Sequence, residues 1–284
     1  MKKENLYISL GEFGYSILLR FFIANLKDKK VSVLCRNKYQ ELYKDLCKVI
    51  IADDYFEQRF SKYPTSGWYP FIDRCLWHEY LNKKYRSDYE IKQLSVKIET
   101  LFMHYTRKIP IKYTNKRIEK PAIVVCSRIK YIDKENKNYE CNKRNIPKSY
   151  YLTIIRKLCK KYPNYDVISI GVPEGSFNFP EIKHINFKDM VGELKTVQDT
   201  INVFNRNCVC IASQSAFSFL CFNQGVPVFT IGENEYLYTR SDLCNEGDVF
   251  YNIGGLENYG TFNIDKCCKS IEGFINDRCS LLNL

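Results

Sequence analysis

The sequence predicts an α/β protein built from two Rossmann-like domains that face one another across a cleft. Near the N-terminus, the apolar strand NLYISL, the turn GEFG, a helix-length apolar segment and the strand VSVLC follow one another, which indicates a βαβ unit and a parallel sheet. A second series of strands and helices begins at AIVVCSR, and the polar segment KIPIKYTNKRIEKP between the two series is typical of a connector. We therefore predict an N-terminal domain over residues 1–115 and a C-terminal domain over residues 116–284.

In the N-terminal domain, hydrophobic periodicity predicts five elements in order: a strand over 5–10, a helix over 15–26, a strand over 31–35, a helix over 39–49 and a strand over 49–53. Residues 55–106 are rich in aromatic and charged side chains, and their second half is predicted to be helical. Two explanations of these aromatic residues stay open. They stack against a sugar in an acceptor site, or they pack in a core or an interface, and packing is favoured for most of them.

The C-terminal domain continues the alternation of strands and helices. After the strand over 122–128, the pattern predicts a helix over 145–163 with Pro147 in its first turn. It then predicts strands over 165–171 and 184–187, an amphipathic helix over 190–207 and a closing helix over 264–279. Two further strands enclose a helix in CVCIASQSAFSFLCFNQGVPVFTIGE, which spans residues 208–233. This alternation predicts a second parallel sheet.

The small polar residues after CVCIA lie where a buried strand passes into a helix. In a parallel sheet, ligands bind beyond the carboxyl ends of the strands, where helix N-termini present free N–H groups. Ser213 is a candidate N-cap, and Ser215 and Ala216 then lie in the first helical turn. Small side chains and the helix dipole suit a phosphate-bearing ligand. The alternative is that Ser213 only caps a core helix.

Composition argues against several other classes of protein. The thirteen cysteines are scattered without a C-x-x-C pair, and the three histidines are far apart, so we expect free thiols in a reducing compartment and no zinc site. The net charge of +11 comes from lysines spread over the chain without a nucleic-acid-binding motif, so no nucleic-acid partner is expected. Such a basic surface also suits anionic small molecules.

The localisation follows from what the chain lacks. It contains no run of about 18 uncharged apolar residues, and Glu4, Asn5, Gly11 and Glu12 interrupt the apolar start, so neither a transmembrane segment nor a signal peptide is expected. We expect a cytoplasmic protein, either free or peripheral at the cytoplasmic face of a membrane, or virus-encoded in a host cytoplasm.

The segment 208–233 resembles the nucleotide-sugar-binding element of GT-B-type glycosyltransferases, and most nearly that of the ADP-heptose:lipopolysaccharide heptosyltransferases. In that family, a buried strand leads to an Asp-Thr-Gly turn, a helix, a Gly-x-Pro and a strand that ends in Gly. Here Gln214, Ser215 and Ala216 take the positions of the Asp, Thr and Gly, and Phe219 replaces a usual His. The resemblance implies a GT-B-like fold and a donor site that includes Ser213, Gln214 and Ser215.

Two other segments are similar to the same family. RNIPKSYY resembles the Lys-x-Trp-Pro-x-x-x-Trp element that opens a helix of the nucleotide domain, and Arg144 takes the position of the Lys, where it would contact phosphate. The loop GEFG resembles the acceptor-side loop before the first helix. Gly11 and Gly14 fit this loop, Tyr15 occupies the catalytic Asp position, and Glu12 is the one carboxylate in it.

This resemblance implies a glycosyltransferase that moves a sugar from a nucleotide-sugar donor to an acceptor hydroxyl of a glycan or glycoconjugate. GT-B enzymes hold the leaving diphosphate with helix dipoles and basic side chains, and the chain has no Asp-x-Asp metal clamp, so we expect neither a metal nor a cofactor. We expect Glu12 to act as the base, Arg128 to pair with phosphate and Glu233 to hydrogen-bond a ribose. The structural alternatives are a solvated turn carboxylate for Glu12 and a surface arginine for Arg128.

Two other functions compete with this prediction. One is a nucleotide-sugar epimerase or hydrolase on the same scaffold, although such enzymes use several carboxylates and histidines and only Glu12 is well placed. The other is a degenerate transferase that binds a nucleotide or a glycan without turnover, which the residues at Tyr15 and Gln214 favour. A nucleic-acid binder ranks third.

Overall fold

The chain forms two compact units, Met1–Ile111 and Lys112–Leu284. This computed structural model describes residues 3–9, 13–27, 30–53, 81, 83–92, 108–116, 120–129, 131–133, 138–139, 146–206, 208–233, 238–239, 243–253 and 262–281. The aromatic segment 55–106 lies largely outside the described residues. Along the described part of the chain, no helix is long and apolar enough to cross a membrane.

The first unit is a parallel sheet with one long described helix. Its elements are β1 (Glu4–Ser9), α1 (Phe13–Asn25), β2 (Val31–Cys35), a 3-10 helix (Asn37–Leu42), β3 (Lys48–Ile51) and β4 (Tyr89–Lys92). The strand order is β3-β2-β1-β4, and all neighbouring pairs are parallel. β2 is buried along its whole length, as expected for a strand of a parallel sheet that is covered on both faces.

The second unit is larger. Its strands are β5 (Ala122–Cys126), β6 (Tyr131–Asp133), β7 (Asn138–Tyr139), β8 (Asp166–Ser169), β9 (Phe187–Asp189), β10 (Cys208–Ser213), β11 (Val228–Gly232) and β12 (Val249–Asn252). Its helices are α2 (Lys148–Lys161), α3 (Val197–Phe204), α4 (Ala216–Gln224) and α5 (Ile264–Leu281). Six parallel strands form a sheet in the order β12-β11-β10-β5-β8-β9, and β6 and β7 form a separate hairpin.

One apolar core holds the larger sheet to two helices. Alternate residues of its central strands, such as Val125 and Ile211, point into the same buried cluster as Ile155 of α2 and Phe274 of α5. Since β5, β8, β10 and β11 are buried at every position, the opposite face of the sheet is also covered. The α/β fold class and the two Rossmann-like sets of parallel strands are thus confirmed.

Several elements differ from their predictions, and each difference has a local cause. The helix predicted over 190–207 begins only at Val197, because Gly192 adopts a left-handed φ of 81° and Thr196 caps the helix. Thr196 and Asp199 form a capping box in which each side chain accepts a hydrogen bond from the other residue's backbone N–H. The predicted helix 39–49 is a short 3-10 helix followed by a turn and β3.

Asp166, the first residue of β8, lies in a buried ion-pair cluster. Its carboxylate pairs with Lys120 at 2.9 Å, with Lys188 at 2.7 Å and with the buried Arg206. Burial alone raises the pKa of this carboxyl, but the cations of Lys188, Arg206 and Lys120 outweigh burial and hold its pKa well below the usual range.

Replacement of Asp166 by asparagine is expected to lower the free energy of unfolding by about 2 kcal/mol at neutral pH, because Arg206 stays buried without its counter-charge. The folded pKa of Asp166 is depressed, so this stabilisation is fully present above the unfolded pKa of about 3.9 and is lost as pH falls toward the folded pKa. Urea denaturation at pH 7 and pH 3 measures the difference between wild type and variant. Asp265→Asn is the control, because it removes only an exposed pair with Lys157 and a first-turn carboxylate of α5, which contribute less to stability than the buried cluster.

Candidate functional site

The larger sheet reverses its strand order between β5 and β10. β8 and β9 follow β5 on one side, whereas β10, β11 and β12 extend the sheet on the other. Cys126 pairs with Ala212, so the residues that follow β5 and β10 leave the sheet side by side. Ligands of open parallel sheets bind at such a point, outside the carboxyl ends of the strands. This position brings together the predicted site residues Arg128 and 213–215.

The corner after β10 consists of Ser213, Gln214 and Ser215. Ser213 is the last residue of the strand, and helix α4 begins at Ala216 with Ser215 as its N-cap. The Ser215 hydroxyl accepts a hydrogen bond of 3.4 Å from the Phe217 N–H. The predictions that Ser213 is the N-cap and that Ser215 lies in the first turn are therefore wrong. The chain stays extended for longer because the Gln214 N–H donates to the Ile231 carbonyl of β11 at 2.9 Å.

Ser213 is fully buried and joins elements on both faces of the sheet. Its hydroxyl hydrogen-bonds the hydroxyl of Tyr151, which lies in the first turn of α2. Its carbonyl accepts a hydrogen bond of 3.4 Å from the Ser218 hydroxyl of α4. Ser213 thus links the N-terminal turns of α2 and α4 at the end of β10.

Gln214 fastens the corner to the end of the next strand. Its side-chain oxygen accepts a hydrogen bond of 3.2 Å from the Glu233 N–H, and only 4% of its surface is exposed. A Cβ atom on Gly232 would lie 2.6 Å from the Gln214 Cβ, so glycine is needed at the end of β11 for this approach. Glu233, the predicted ribose contact, is therefore held directly beside the corner.

The backbone on both sides of Arg128 is fixed by the loop that follows β8. Ser127 accepts hydrogen bonds from the Phe177 N–H at 2.9 Å and, through its carbonyl, from the Ser176 hydroxyl at 3.1 Å. The Ile129 N–H donates to the Gly175 carbonyl at 2.8 Å. The backbone is therefore held in place on either side of Arg128, whose side chain is half-buried.

The helix N-termini of this unit differ in charge. α3 and α5 carry Asp199 and Asp265 in their first turns, where a carboxylate stabilises the positive end of the helix dipole. α2 and α4 have no acidic residue in the first turn, and α2 also lacks a side-chain cap. The two helices that meet at Ser213 are thus the ones that have no carboxylate of their own at the positive end of the helix dipole. This arrangement suits an anionic ligand.

The predicted acceptor-side loop follows β1 of the first unit. Gly11 and Glu12 lie outside the described residues, as does Arg144 before α2, and of Tyr15 only the backbone, in α1, is described. Gly14 lies in the first turn of α1 and is half-buried. The roles predicted for these residues stay predictions.

Hydroxyl groups hold the two ends of this loop together. The hydroxyls of Ser9, at the end of β1, and Tyr43 are 2.6 Å apart, and Tyr43 donates to the Ser16 carbonyl of α1 at 2.7 Å. The Ser9 hydroxyl also donates to that of Ser16 at 3.1 Å, and all three residues are fully buried. The strand end and the helix start are therefore fixed on either side of residues 10–12.

Tyr43, Tyr151 and Ser127 were not predicted to be part of either site. Their partners are 27 to 62 residues away in sequence, and a buried tyrosine in an apolar helix carries no signal of a hydrogen bond to a strand end. The one available signal was the position of Tyr151, which takes the place of the second tryptophan in the family element that opens a nucleotide-domain helix.

The cysteines of the described segments are free thiols, and most are buried. The sulfur atoms of Cys126 and Cys210 are 3.7 Å apart between β5 and β10. Burial raises the pKa of Cys159 to about 11 and that of Cys208 further, which makes both poor nucleophiles. Within the described ranges, no three His, Cys, Asp or Glu side chains are grouped so that they could hold a metal ion.

Two units of parallel α/β structure, the second with a switch point lined by helix N-termini, define the GT-B class of fold. Among solved structures, the chain is similar to a glycosyl transferase family 9 protein from Veillonella parvula, with a TM-score of 0.62 and 10% identity over 97% of both chains. It is also similar to the E. coli ADP-heptose LPS heptosyltransferase II, with a TM-score of 0.57 and 10% identity over 96% of this chain and 99% of that one.

A third similar structure, the E. coli heptosyltransferase WaaC with ADP, has a TM-score of 0.56 and 10% identity over 97% of this chain and 99% of that chain. No family model and no curated protein sequence matches the chain. At this level of identity the similarity shows the fold. The resemblance of the sequence to GT-B glycosyltransferases and heptosyltransferases is therefore confirmed for the fold.

Proposed function

We propose that this protein is a glycosyltransferase that binds a nucleotide-sugar at the corner after β10 and transfers the sugar to an acceptor hydroxyl. The observation that carries the proposal is the meeting of two helix N-termini, each without an acidic residue in its first turn, at the buried Ser213 of the switch point. The positive ends of two helix dipoles at this place stabilise the negative charge of a diphosphate.

The residues around the corner supply what a leaving diphosphate needs. Small residues at Ser215 and Ala216 allow the phosphates to approach the first amides of α4. Arg128 and Arg144 supply positive charge to the phosphates, and Glu233 accepts a hydrogen bond from a ribose hydroxyl. In glycosyl transfer the diphosphate departs with extra negative charge, so donors that are fixed before the reaction lower its barrier.

The similar structures support a nucleotide as ligand. WaaC was solved with ADP. The iron-containing heptosyltransferase TibC was solved with ADP-D-beta-D-heptose. TibC is similar to this chain with a TM-score of 0.58 and 11% identity over 98% of this chain and 77% of that chain. By analogy, a nucleoside diphosphate is the group that the corner would hold. The donor is held without a metal, and the acceptor is a glycan or glycoconjugate presented in the cytoplasm or at the cytoplasmic face of a membrane.

On the acceptor side, we assign the base to Glu12. A carboxylate within hydrogen-bonding distance of the acceptor hydroxyl would take its proton as the hydroxyl attacks the anomeric carbon of the donor sugar. The hydrogen bonds among Ser9, Ser16 and Tyr43 support this role, because they fix both ends of the loop that contains Glu12.

A binding protein without turnover is the second candidate. It is favoured by Gln214, whose amide oxygen is already occupied by the Glu233 N–H and which replaces an acidic residue of the family element. Both candidates require the donor site, and only the transferase requires a base. Release of the nucleoside diphosphate from a nucleotide-sugar in the presence of an acceptor separates the two.

Isothermal titration calorimetry with ADP, UDP, GDP and CDP is the primary test of the donor site. We expect one nucleoside diphosphate to bind with a micromolar Kd and to raise Tm, because a ligand that binds only the folded state stabilises it. Arg128→Ala is expected to weaken this binding while the variant stays folded. Failure of all four nucleotides to bind would refute the proposed function.

A further inference from the structure

Tyr151 has an unusual position for a core aromatic residue. It lies in the first turn of α2, is completely buried, and packs its ring against Phe177 and Phe179. Its hydroxyl points out of this apolar cluster and hydrogen-bonds the hydroxyl of Ser213. A buried tyrosine hydroxyl normally finds a partner, but here the partner is the last strand residue before the corner.

The contact continues through the sheet to helix α4 and strand β11. The Ser213 carbonyl accepts from the Ser218 hydroxyl, and the Ser218 hydroxyl in turn accepts from Thr230 at 3.0 Å. Ser218 and Thr230 are also buried. A chain of hydrogen bonds therefore runs from α2, across the end of β10, to α4 and β11, and it contains no exposed member.

This chain of hydrogen bonds sets the spacing of two helix N-termini. The first-turn residue Tyr151 fixes α2 on one side of Ser213, and Ser218 fixes α4 on the other. A diphosphate that takes hydrogen bonds from both helices needs them at a fixed separation, because a single bridging oxygen keeps its two phosphorus atoms close together. Displacement of either helix by a fraction of an ångström lengthens several of these bonds at once.

We propose that Tyr151 is a positioning residue for the nucleoside-diphosphate site and acts through Ser213 without touching the ligand. The inference rests on the proposed function, since it assigns the geometry of the same site. Phenylalanine at this position keeps the ring packing against Phe177 and Phe179 and removes only the hydroxyl. The loss then acts on the corner rather than on the core.

The test compares nucleoside-diphosphate affinity in Tyr151→Phe, Ser213→Ala and the double variant, with the nucleotide that binds wild type best as the probe. Calorimetry well below Tm, where every variant is folded, is expected to give a Kd about tenfold above wild type for each single variant, as for one lost hydrogen bond. The double variant is expected to be no weaker than the single ones, because both remove the same bond.

Tyr162→Phe is the matched control at the opposite end of α2. Its hydroxyl donates to Asn276 of α5 at 3.0 Å, far along the helix from Ser213, so its removal is expected to leave Kd unchanged. A wild-type Kd in Tyr151→Phe, or additive losses in the double variant, would overturn the inference and leave the proposed function standing. Absence of nucleotide binding by wild type would refute the proposed function itself, and the inference with it.

Discussion

Replacement of Gly232 by alanine is expected to weaken nucleotide binding by about 10²-fold. The added Cβ would lie 2.6 Å from both Cβ and Oε1 of Gln214, a separation that side-chain carbon atoms do not tolerate. Because Gln214 is buried and bonded to the Glu233 N–H, its displacement moves the corner itself and not only a flexible side-chain end. A shift of the corner weakens several hydrogen bonds to the diphosphate at once, and the loss of two of them, at about 1.5 kcal/mol each, is of this size.

Calorimetric Kd and Tm for Gly232→Ala and for Gly273→Ala provide the comparison. Gly273 lies in α5 with no atom within 4 Å of an added Cβ, so alanine there is expected to preserve affinity and to raise helix stability by about 0.5–1 kcal/mol. The double variant Gly232→Ala/Gln214→Gly, which removes the Gln214 Cβ and Oε1 that the added Cβ would meet, is expected to bind no worse than Gln214→Gly alone. Wild-type affinity in Gly232→Ala would show that the approach of Gln214 to β11 does not support the site.

The sequence predicted best those strands that consist of one short, continuous run of apolar residues. Strands β2, β5 and β10 coincide with short apolar runs, because a parallel strand covered on both faces is hydrophobic at every position. The order of the strands in the sheet, and with it the switch point between β5 and β10, was not predicted from these runs. The short β4 and the half-exposed β12 lacked such runs and were not predicted.

The polar geometry of the site depended on contacts that sequence alone does not reveal. The position of Ser213 at the corner was predicted, yet its role as N-cap was wrong because Gln214 extends the strand by pairing with β11, whose residues come about 17 positions later. Likewise, the hydroxyl of Tyr151 meets Ser213 across 62 residues. Local capping rules favour the first serine after a strand as the N-cap, but the pairing of Gln214 with β11 moves the N-cap to Ser215.

The two units fix the end of one central strand in the same way. In each unit this strand, β1 or β10, ends in a completely buried serine that is bonded to a buried tyrosine hydroxyl, Tyr43 for Ser9 and Tyr151 for Ser213. In each unit, a helix begins within four residues of this serine. A satisfied hydroxyl pair fixes a strand end more firmly than apolar contact does, because its geometry is directional. Both pairs therefore support loops to which we assign chemistry.

Conversion of Glu12 to glutamine is expected to reduce kcat for sugar transfer by about 10²–10⁴-fold and to leave the Kd of the nucleoside diphosphate unchanged. Glutamine keeps the size and hydrogen-bonding capacity of the side chain but has no basicity, so the acceptor hydroxyl keeps its proton during attack. Nucleotide affinity is expected to stay constant because the donor corner belongs to the second unit, whereas Glu12 belongs to the first. A fall in kcat at constant Kd is the signature of a group that acts only in the transition state.

Glu41→Gln is the control for the change of charge. Glu41 lies in the 3-10 helix of the same unit, where it pairs with Lys44 at 2.9 Å, and its substitution is expected to leave both kcat and Kd at the wild-type values. Glu12→Asp, which restores a carboxylate on a shorter side chain, is expected to recover part of the lost rate. Full turnover by Glu12→Gln would identify Glu12 as a solvated carboxylate of the turn and would require another group to take the acceptor proton.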